Sequence, residues 1–174
     1  METRPPWGQL RPFQSAVDSW TGQFTPQYWP NEQILGRLAE EVGEVSREIN
    51  HLHGVKKKPT GTSNLCGELS DVLFTCACLA NKHTLDLVDI CWVYALGERT
   101  SPHETLKRLI ITTGHLAEYL EDTPATFGPY IGRVIYQTTM LGHVHELTLD
   151  AMLAPSLAKC YNRDNQRFER LDKR

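Results

Sequence analysis

The sequence has few of the features that mark nucleic-acid-binding, membrane or secreted proteins. Its 174 residues include 18 Lys and Arg against 21 Asp and Glu, so no basic surplus predicts nucleic-acid binding. No apolar run reaches the length of a membrane span, and the opening METRPPWGQLRPF contains no apolar stretch of signal-peptide length. The five cysteines are odd in number and mostly lie among apolar residues. We therefore expect a cytoplasmic protein with reduced thiols.

The chain also lacks a convincing strand pattern, and its apolar residues recur instead at helical spacing. Helix-capping residues precede several of these segments, namely Asn31, Thr84, Ser101 and Thr148. Proline and glycine indicate a loop at 53–63 and a turn at 122–129. We predict an all-α bundle. Its expected helices cover about 13–20, 32–52, 64–83, 84–96, 102–121 and 130–146, with a last one after Thr148.

Two short acidic clusters interrupt the apolar pattern. Glu40, Glu41 and Glu44 form E-E-x-x-E, and Glu68 and Asp71 form E-x-x-D after the loop. Residues three and four positions apart share a helix face, so each cluster directs carboxylates to one side of its helix. Apolar residues flank both clusters, and their packing would bring the acids of the two helices together.

Several carboxylates at a packed interface repel one another unless a cation neutralises them. The candidate ligands are hard oxygen atoms, with no Cys or His at matching spacing, which favours Mg²⁺ or Mn²⁺. The alternative is two solvated acidic helix faces. The second cluster favours the metal site, because in GELSDVLFTCACLA only Glu68, Ser70 and Asp71 break the apolar run before Thr75.

The two halves of the chain show a weak internal similarity. Segment 35–49 aligns with 106–120, and Gly67 aligns with Gly132 in the same order, but the acids have no counterparts in the second copy. We predict a tandem pair of helical hairpins. The first half would carry the acidic site, and the second would be degenerate with a basic C-terminal helix, both packed as one globular unit: residues 1–97 and 98–174.

At its acidic clusters the chain resembles the MazG-like family of all-α nucleoside triphosphate pyrophosphohydrolases, whose signature is E-E-x-x-E followed by E-x-x-D. The resemblance extends through REINHLHGVKKK and DVLFTCACLAN and resumes at AKCYNRDNQRF, so that it covers about 12–90 and 146–170. The region of about 98–145 departs from the short members of the family, and the repeat explains it as a second hairpin. Since family members usually dimerise, the resemblance implies a homodimer, or an intrachain pseudo-dimer that can associate further.

The resemblance implies that water attacks the α-phosphate of a nucleoside triphosphate to give a monophosphate and pyrophosphate. It also implies that Glu41, Glu44, Glu68 and Asp71 bind Mg²⁺, for which Mn²⁺ can substitute. Glu40 and Glu41 are the implied catalytic residues. Glu40 would orient or deprotonate the water, or act as a further ligand.

The polyphosphate of such a substrate needs cations. Lys159, Arg163 and Arg167 lie four positions apart on the last predicted helix and would share one face, where a bound polyphosphate would offset their mutual repulsion. The alternative is a solvated basic face near the C-terminus. Lys56, in the loop between the acidic helices, is a further candidate for phosphate binding.

The base needs an aromatic or polar surface. Trp20 is a candidate for stacking on the base, with ordinary core packing as the alternative, and Asn81 is a candidate for a polar contact. We expect no zinc site from two histidine pairs whose members lie two positions apart and share no helix face: His51 and His53, and His143 and His145.

These observations predict a Mg²⁺-dependent pyrophosphohydrolase that clears unwanted or surplus (d)NTPs from the nucleotide pool. A related alternative is a diphosphohydrolase of a specialised substrate such as phosphoribosyl-ATP. A second is a nucleotide-sensing module without turnover, against which the intact acids of the first half argue. A structural helical adaptor is a third. We expect a nucleoside triphosphate as partner, and neither nucleic acid nor a membrane.

Overall fold

The computed structural model describes residues 7–54, 56–94 and 100–171. Across these ranges the chain is helical and contains no named strand, which confirms the predicted all-α class. The helices are α1 (Leu10–Thr21), α2 (Asn31–Leu52), α3 (Leu65–Lys82), α4 (Leu87–Cys91), α5 (Pro102–Tyr119), α6 (Pro124–Val144) and α7 (Leu149–Asn162). None of the described helices has both the length and the apolar character needed to cross a bilayer.

Most predicted helix starts hold, and the capping chemistry explains them. The side chains of Ser101 and Thr148 accept backbone N–H groups from the first turns of α5 and α7. Asn31 is not a cap, because α2 begins at this residue and Pro30 occupies the cap position. The Asn31 amide oxygen instead accepts from the ring of His83 at 2.9 Å, which ties the start of α2 to the end of α3.

The helix predicted from Thr84 is much shorter than expected. Asp86 caps α4 by accepting two backbone N–H groups of its first turn. Thr84 has a left-handed φ of 55°, a conformation that belongs to the turn after α3 and cannot start a helix. The predicted end at Gly97 lies outside the described residues.

The turn predicted at 122–129 is also shorter, because α6 already begins at Pro124. Proline suits the first helical position, where the backbone N–H would have no intrahelical partner. Pro129 removes one hydrogen bond inside the helix, and the long buried side of α6 tolerates that loss.

The helices pack as two neighbouring pairs with α3 at the centre. α2 lies along α3, α5 lies along α6, and the pairs meet because α2 contacts α5 and α3 contacts α6. α3 also packs against α1 and α7. Large fully buried side chains from most helices fill the interior, among them Leu10, Leu38, Ile49, Leu69, Leu73, Leu109, Leu116, Phe127 and Ile131. Burial of this apolar surface is the main source of stability.

The contact between α3 and α7 compensates for a proline inside α7. Pro155 has no N–H to donate to the carbonyl of Ala151 one turn earlier. The thiol of Cys66 on α3 donates to that carbonyl at 3.3 Å. Ser70, one turn farther along α3, accepts the backbone N–H of Ser156 at 2.9 Å. These bonds hold α7 against the helix that carries the second acidic cluster.

The residues after α7 fold back onto the loop between α1 and α2. The backbone N–H of Thr25 donates to the carbonyl of Glu169 at 2.9 Å, and that of Leu171 donates to the carbonyl of Gln23 at 3.0 Å. This short pairing places Phe168 against the end of α1. No feature of the sequence predicted it.

The predicted division of the chain falls where its structure is not described. The boundary at residues 97 and 98 lies within 95–99, outside the described residues. Helices from both sides of it pack against each other through α2 with α5 and α3 with α6. That the two halves are copies of one hairpin stays a prediction.

Glu48 fixes the loop that joins α2 to α3. Its side chain is 0% exposed, and its carboxylate accepts from Lys58 Nζ at 2.6 Å, Ser63 Oγ at 2.9 Å and the backbone N–H of Asn64 at 2.9 Å. Burial acts to raise the pKa of Glu48, but these hydrogen bonds outweigh it and hold the pKa below its ordinary value. The buried carboxylate therefore ties the end of α2 to the loop and to the residue before α3.

We expect Glu48→Gln to lower the free energy of unfolding by about 1–3 kcal/mol at pH 7, because Lys58 loses a charged, buried partner. The folded-state pKa of Glu48 is lowered, so its contribution is present above the unfolded pKa and is lost as pH falls through the folded one. Urea unfolding at pH 7 and in acid measures the effect, with the exposed Glu118→Gln as control. If the difference in free energy of unfolding between wild type and Glu48→Gln were the same in acid as at pH 7, the role of the charge would be contradicted.

Candidate active site

Glu41, Glu44 and Glu68 meet where α2 packs against α3. One carboxylate oxygen of each lies within 4.8 Å of the others. Glu41 and Glu68 are buried and Glu44 is half-buried. Helical spacing places the first two on one face of α2, and the packing of α3 adds the third. Three of the four predicted metal ligands therefore converge.

The carboxylate of Glu41 is buried without adequate partners. The residue is 0% exposed, and neither oxygen accepts a well-oriented hydrogen bond from the described residues, although the guanidinium of Arg37 contacts one of them. Burial is the main cause that raises the pKa of Glu41 to about 7, with help from Asp71, Glu44 and Glu40 and against the effect of Arg37. Such a group requires a proton or a cation.

Glu44 and Glu68 are mutually unfavourable as two charges. Desolvation, followed by the hydrogen bond and charge of Glu68, raises the pKa of Glu44. Asn64 Nδ2 donates to Glu68 Oε1 at 3.0 Å, and the guanidinium of Arg47 lies 3.4 Å from Glu44 Oε1. Arg47 is more than half exposed, so water screens most of its attraction.

These residues fit a hard divalent cation. Every ligand atom in the group of three is a carboxylate oxygen, and neither oxygen of Glu41 accepts a well-oriented hydrogen bond from the described residues. Oxygen donors of this kind suit Mg²⁺ or Mn²⁺ rather than the softer transition metals. Burial is the main cause of the raised pKa values of Glu41 and Glu44, and a bound cation would neutralise the like-charge repulsion that adds to it.

Asp71, the fourth predicted ligand, lies apart from this group. Its carboxylate pairs with Lys159 on α7, and desolvation raises the pKa of Asp71 although Lys159 acts to lower it. On the other side, Arg37 pairs with Glu41 and, at 2.6 Å, with Glu40. Sequence reasoning missed Arg37, although its position four residues before Glu41 was a usable signal.

The prediction that the three cations share one face of the last helix is wrong. α7 ends at Asn162, so only Lys159 lies on the helix. Arg163 and Arg167 follow it, and both pair with Asp164, at 2.8 and 2.9 Å. The chain leaves the helix here because it turns into a short 3-10 segment that begins at Asp164. All three cations nevertheless line one cavity.

This cavity has a volume of about 710 Å³, which is within the usual range for small-molecule sites. Glu40, Glu41, Glu44 and Asp71 line it together with the cations. Its wall is otherwise rich in aromatic side chains: Trp20, Phe24, Tyr28, Trp29, Phe74 and Phe168. The same space thus offers charged groups of both signs and an apolar surface.

Trp20 belongs to the wall but does not present a free face. Only 4% exposed, it makes edge-to-face contacts with Phe24, Phe74 and Phe168 at centroid distances of 4.8, 5.9 and 5.7 Å. The structure thus favours core packing over stacking for this residue. Trp29 is 39% exposed and is the accessible indole of the wall. Phe168 was missed because it arrives through the unpredicted C-terminal pairing.

Two further candidates lie elsewhere. Asn81 exchanges hydrogen bonds with Gln14, at 2.8 Å to its side-chain nitrogen and 3.1 Å to its carbonyl, and so connects α3 to α1. Lys56 is exposed in the loop after α2. Neither residue lines the cavity.

Comparison with known proteins adds an independent observation. Residues 30–93, which contain both acidic clusters, match the MazG nucleotide pyrophosphohydrolase domain. An uncharacterized protein of Bacillus subtilis, YpjD, is 40% identical over 80 residues, which are 45% of this chain and 72% of that protein. No solved structure matches the chain.

The buried charge of Glu41 predicts an unusual pH dependence of stability. Its folded pKa is about 7, above the unfolded value, so without metal its contribution to stability falls as pH rises through this window. Without metal, the free energy of unfolding of Glu41→Gln minus that of wild type should therefore increase by about 1–3 kcal/mol from pH 5 to pH 8. Denaturant unfolding in chelator measures the difference, with Glu118→Gln as control. An unchanged difference across this range would contradict the assignment.

Proposed function

Since this chain belongs to the MazG nucleotide pyrophosphohydrolase family, as its acidic clusters predicted, we propose that it is a Mg²⁺-dependent hydrolase of nucleoside triphosphates. The reaction is (d)NTP plus water to (d)NMP plus pyrophosphate. The observation that carries the proposal is the buried Glu41 carboxylate. It has no well-oriented hydrogen-bond partner among the described residues and lies beside Glu44, Glu68 and a cavity with cationic and aromatic walls.

Glu41, Glu44 and Glu68 would hold the metal ion, and Asp71 would join them when Lys159 leaves it. When bound, Mg²⁺ supplies neutralisation of phosphate charge and a water of lowered pKa. Mn²⁺ satisfies the same oxygen ligands. The proposal also explains why these carboxylates lie in an apolar interface: the energetic cost of gathering them is recovered on cation binding.

Glu40 is the proposed orienting group or base for the attacking water. It lies on the exposed side of α2, lines the cavity and pairs with Arg37 at 2.6 Å. The water oxygen would form a bond to the α-phosphorus, the bond from that phosphorus to the bridging oxygen would break, and pyrophosphate would leave. The proton of the water would pass to Glu40, while Arg37 keeps the carboxylate in place.

Lys159, Arg163 and Arg167 are the proposed triphosphate ligands. Each is now satisfied by an acid, Lys159 by Asp71 and both arginines by Asp164. Phosphate oxygens would replace these partners, since guanidinium and ammonium groups bind phosphate strongly. Arg163 and Arg167 are more than half exposed, so the exchange requires little rearrangement.

The aromatic wall is the proposed site for the base. Trp29 offers an accessible ring face, and the buried indole N–H of Trp20 has no hydrogen-bond partner among the described residues. An unused buried donor beside the cavity suits a carbonyl oxygen of a base.

The biological setting is part of the same proposal. We propose removal of unwanted or surplus nucleotides in the cytoplasm, with a nucleoside triphosphate and not nucleic acid as the partner. The packing of α5 and α6 against α2 and α3 supports an intrachain imitation of a dimer, which can associate further.

The decisive experiment is pyrophosphate release from a panel of NTPs and dNTPs, with and without Mg²⁺. Wild type and Glu118→Gln should release pyrophosphate and the monophosphate only with the metal. Glu44→Gln and Glu68→Gln should lose at least about 100-fold in kcat/KM, because the metal ligands are part of the transition-state environment. Binding of nucleotide without turnover would instead identify a sensor, and turnover of phosphoribosyl-ATP alone would identify the specialised hydrolase.

Separate substitutions test the phosphate ligands. Arg163→Ala and Arg167→Ala should each raise KM about tenfold or more, since each loses a charge-assisted hydrogen bond to phosphate. The matched control is Lys56→Ala, which removes an exposed cation outside the cavity and should leave KM unchanged. Equal effects of all three substitutions would indicate long-range attraction and not contact.

A further inference from the structure

Three histidines far apart in the sequence meet at one edge of the bundle, away from the acidic cluster. His53 follows the last turn of α2, His103 lies in the first turn of α5, and His145 follows the last turn of α6. The ring centroids of His103 and His145 lie 5.6 and 5.4 Å from that of His53. The tertiary structure thus takes one member from each histidine pair in the sequence and adds a third ring.

The nitrogen atoms of two rings already point at each other. His53 Nε2 and His145 Nε2 are 3.1 Å apart. His145 Nδ1 lies 2.7 Å from the carbonyl of Leu141, and a carbonyl can only accept, so this nitrogen carries the proton. In neutral His145 the Nε2 atom therefore carries a lone pair, which accepts a hydrogen bond from His53 Nε2–H.

The distance between the two nitrogens is compatible with one metal ion bound to both, once each ring tilts away from the hydrogen bond that now joins them. Metal–nitrogen bonds of about 2.0–2.1 Å to two atoms separated by 3.1 Å subtend an angle of about 100°, between octahedral and tetrahedral values. Ligating histidines commonly donate their other ring N–H to a backbone carbonyl, as His145 does to Leu141. No carboxylate among the described residues forms an ion pair with any of the three rings.

We propose that His53, His145 and His103 form a binding site for a transition-metal ion with a preference for imidazole, represented by Zn²⁺. His53 and His145 supply the two preset ligands. His103 is exposed, and its ring would turn from the edge contact with His53 toward the ion. Without metal, the Nε2–H of His53 donates to His145; binding moves that proton to the exposed Nδ1, so that both Nε2 atoms can coordinate.

The site is distinct in chemistry from the acidic cluster. Imidazole nitrogen favours Zn²⁺, Ni²⁺ and Cu²⁺, whereas Mg²⁺ favours carboxylate oxygen. Its ligands come from the end of α2 and from both helices of the second pair, so an ion bound there would fasten the acidic half of the bundle to the other half. The inference does not depend on the proposed hydrolysis.

Thermal unfolding of the full chain, titrated with stoichiometric Zn²⁺, tests the proposal, and excess Mg²⁺ is added so that it competes with Zn²⁺ for the acidic cluster. Zn²⁺ should raise the Tm of wild type by at least about 3 °C. His53→Ala and His145→Ala should abolish the rise, and His103→Ala should weaken Zn²⁺ affinity at least about tenfold. His143→Ala, a neighbouring histidine outside the cluster, should respond like wild type.

An absent rise in wild type, or the same rise in His53→Ala and His145→Ala, would overturn the site. Electron paramagnetic resonance of wild type with one equivalent of Cu²⁺ gives a second readout that needs no folded variant. Nitrogen hyperfine splitting from imidazole ligands supports the site. A spectrum with oxygen ligands only overturns it.

Discussion

Burial of the Glu41 carboxylate between α2 and α3 creates an electrostatic requirement that the surrounding residues meet only in part. A charge in that position costs several kcal/mol unless it is neutralised. Two features reduce this cost in part. The pKa of Glu41 is raised, which favours the protonated carboxyl group, and Arg37 forms an ion pair with Glu41. Neither supplies well-oriented hydrogen bonds to both oxygens. A divalent cation would supply the missing interactions with the carboxylate oxygens. This explains why the interface contains carboxylates in place of apolar side chains.

The position of α3 links this requirement to the stability of the fold. The helix packs against α1, α2, α6 and α7, and it carries Glu68 and Asp71 toward the acidic site. Cys66 and Ser70 on the same helix satisfy backbone groups of α7 around Pro155. Because one helix serves both purposes, the carboxylates cannot relax apart without disturbing the core.

The cavity draws charged groups from both parts of the chain. Four carboxylates and Arg37 come from the first half, whereas three cations and Asp164 come from residues after α6. The residues after α6 thus add cations and Phe168 to the cavity wall. In the free protein the two sets partly neutralise each other, as the pair of Asp71 with Lys159 illustrates. A metal ion with a polyphosphate would separate them.

Much of this arrangement follows from local patterns in the sequence. Helical periodicity determined the fold class and most helices, and three- and four-residue spacing placed Glu41 with Glu44 and Glu68 with Asp71 on shared faces. The family resemblance rested on the same acids. These features are local, so neighbouring residues suffice to specify them.

The tertiary structure decided which groups pair across the chain. Glu68 lies beside the acids of α2, and Asp71 pairs with Lys159. Trp20 is packed among phenylalanines, and Arg163 and Arg167 lie beyond the end of α7. The tertiary structure also assembled three histidines, two of which come from sequence pairs that were not expected to form a zinc site. Contacts of this kind depend on where helices end and how they cross. Those positions arise from packing of the whole core, which no short segment of the sequence encodes.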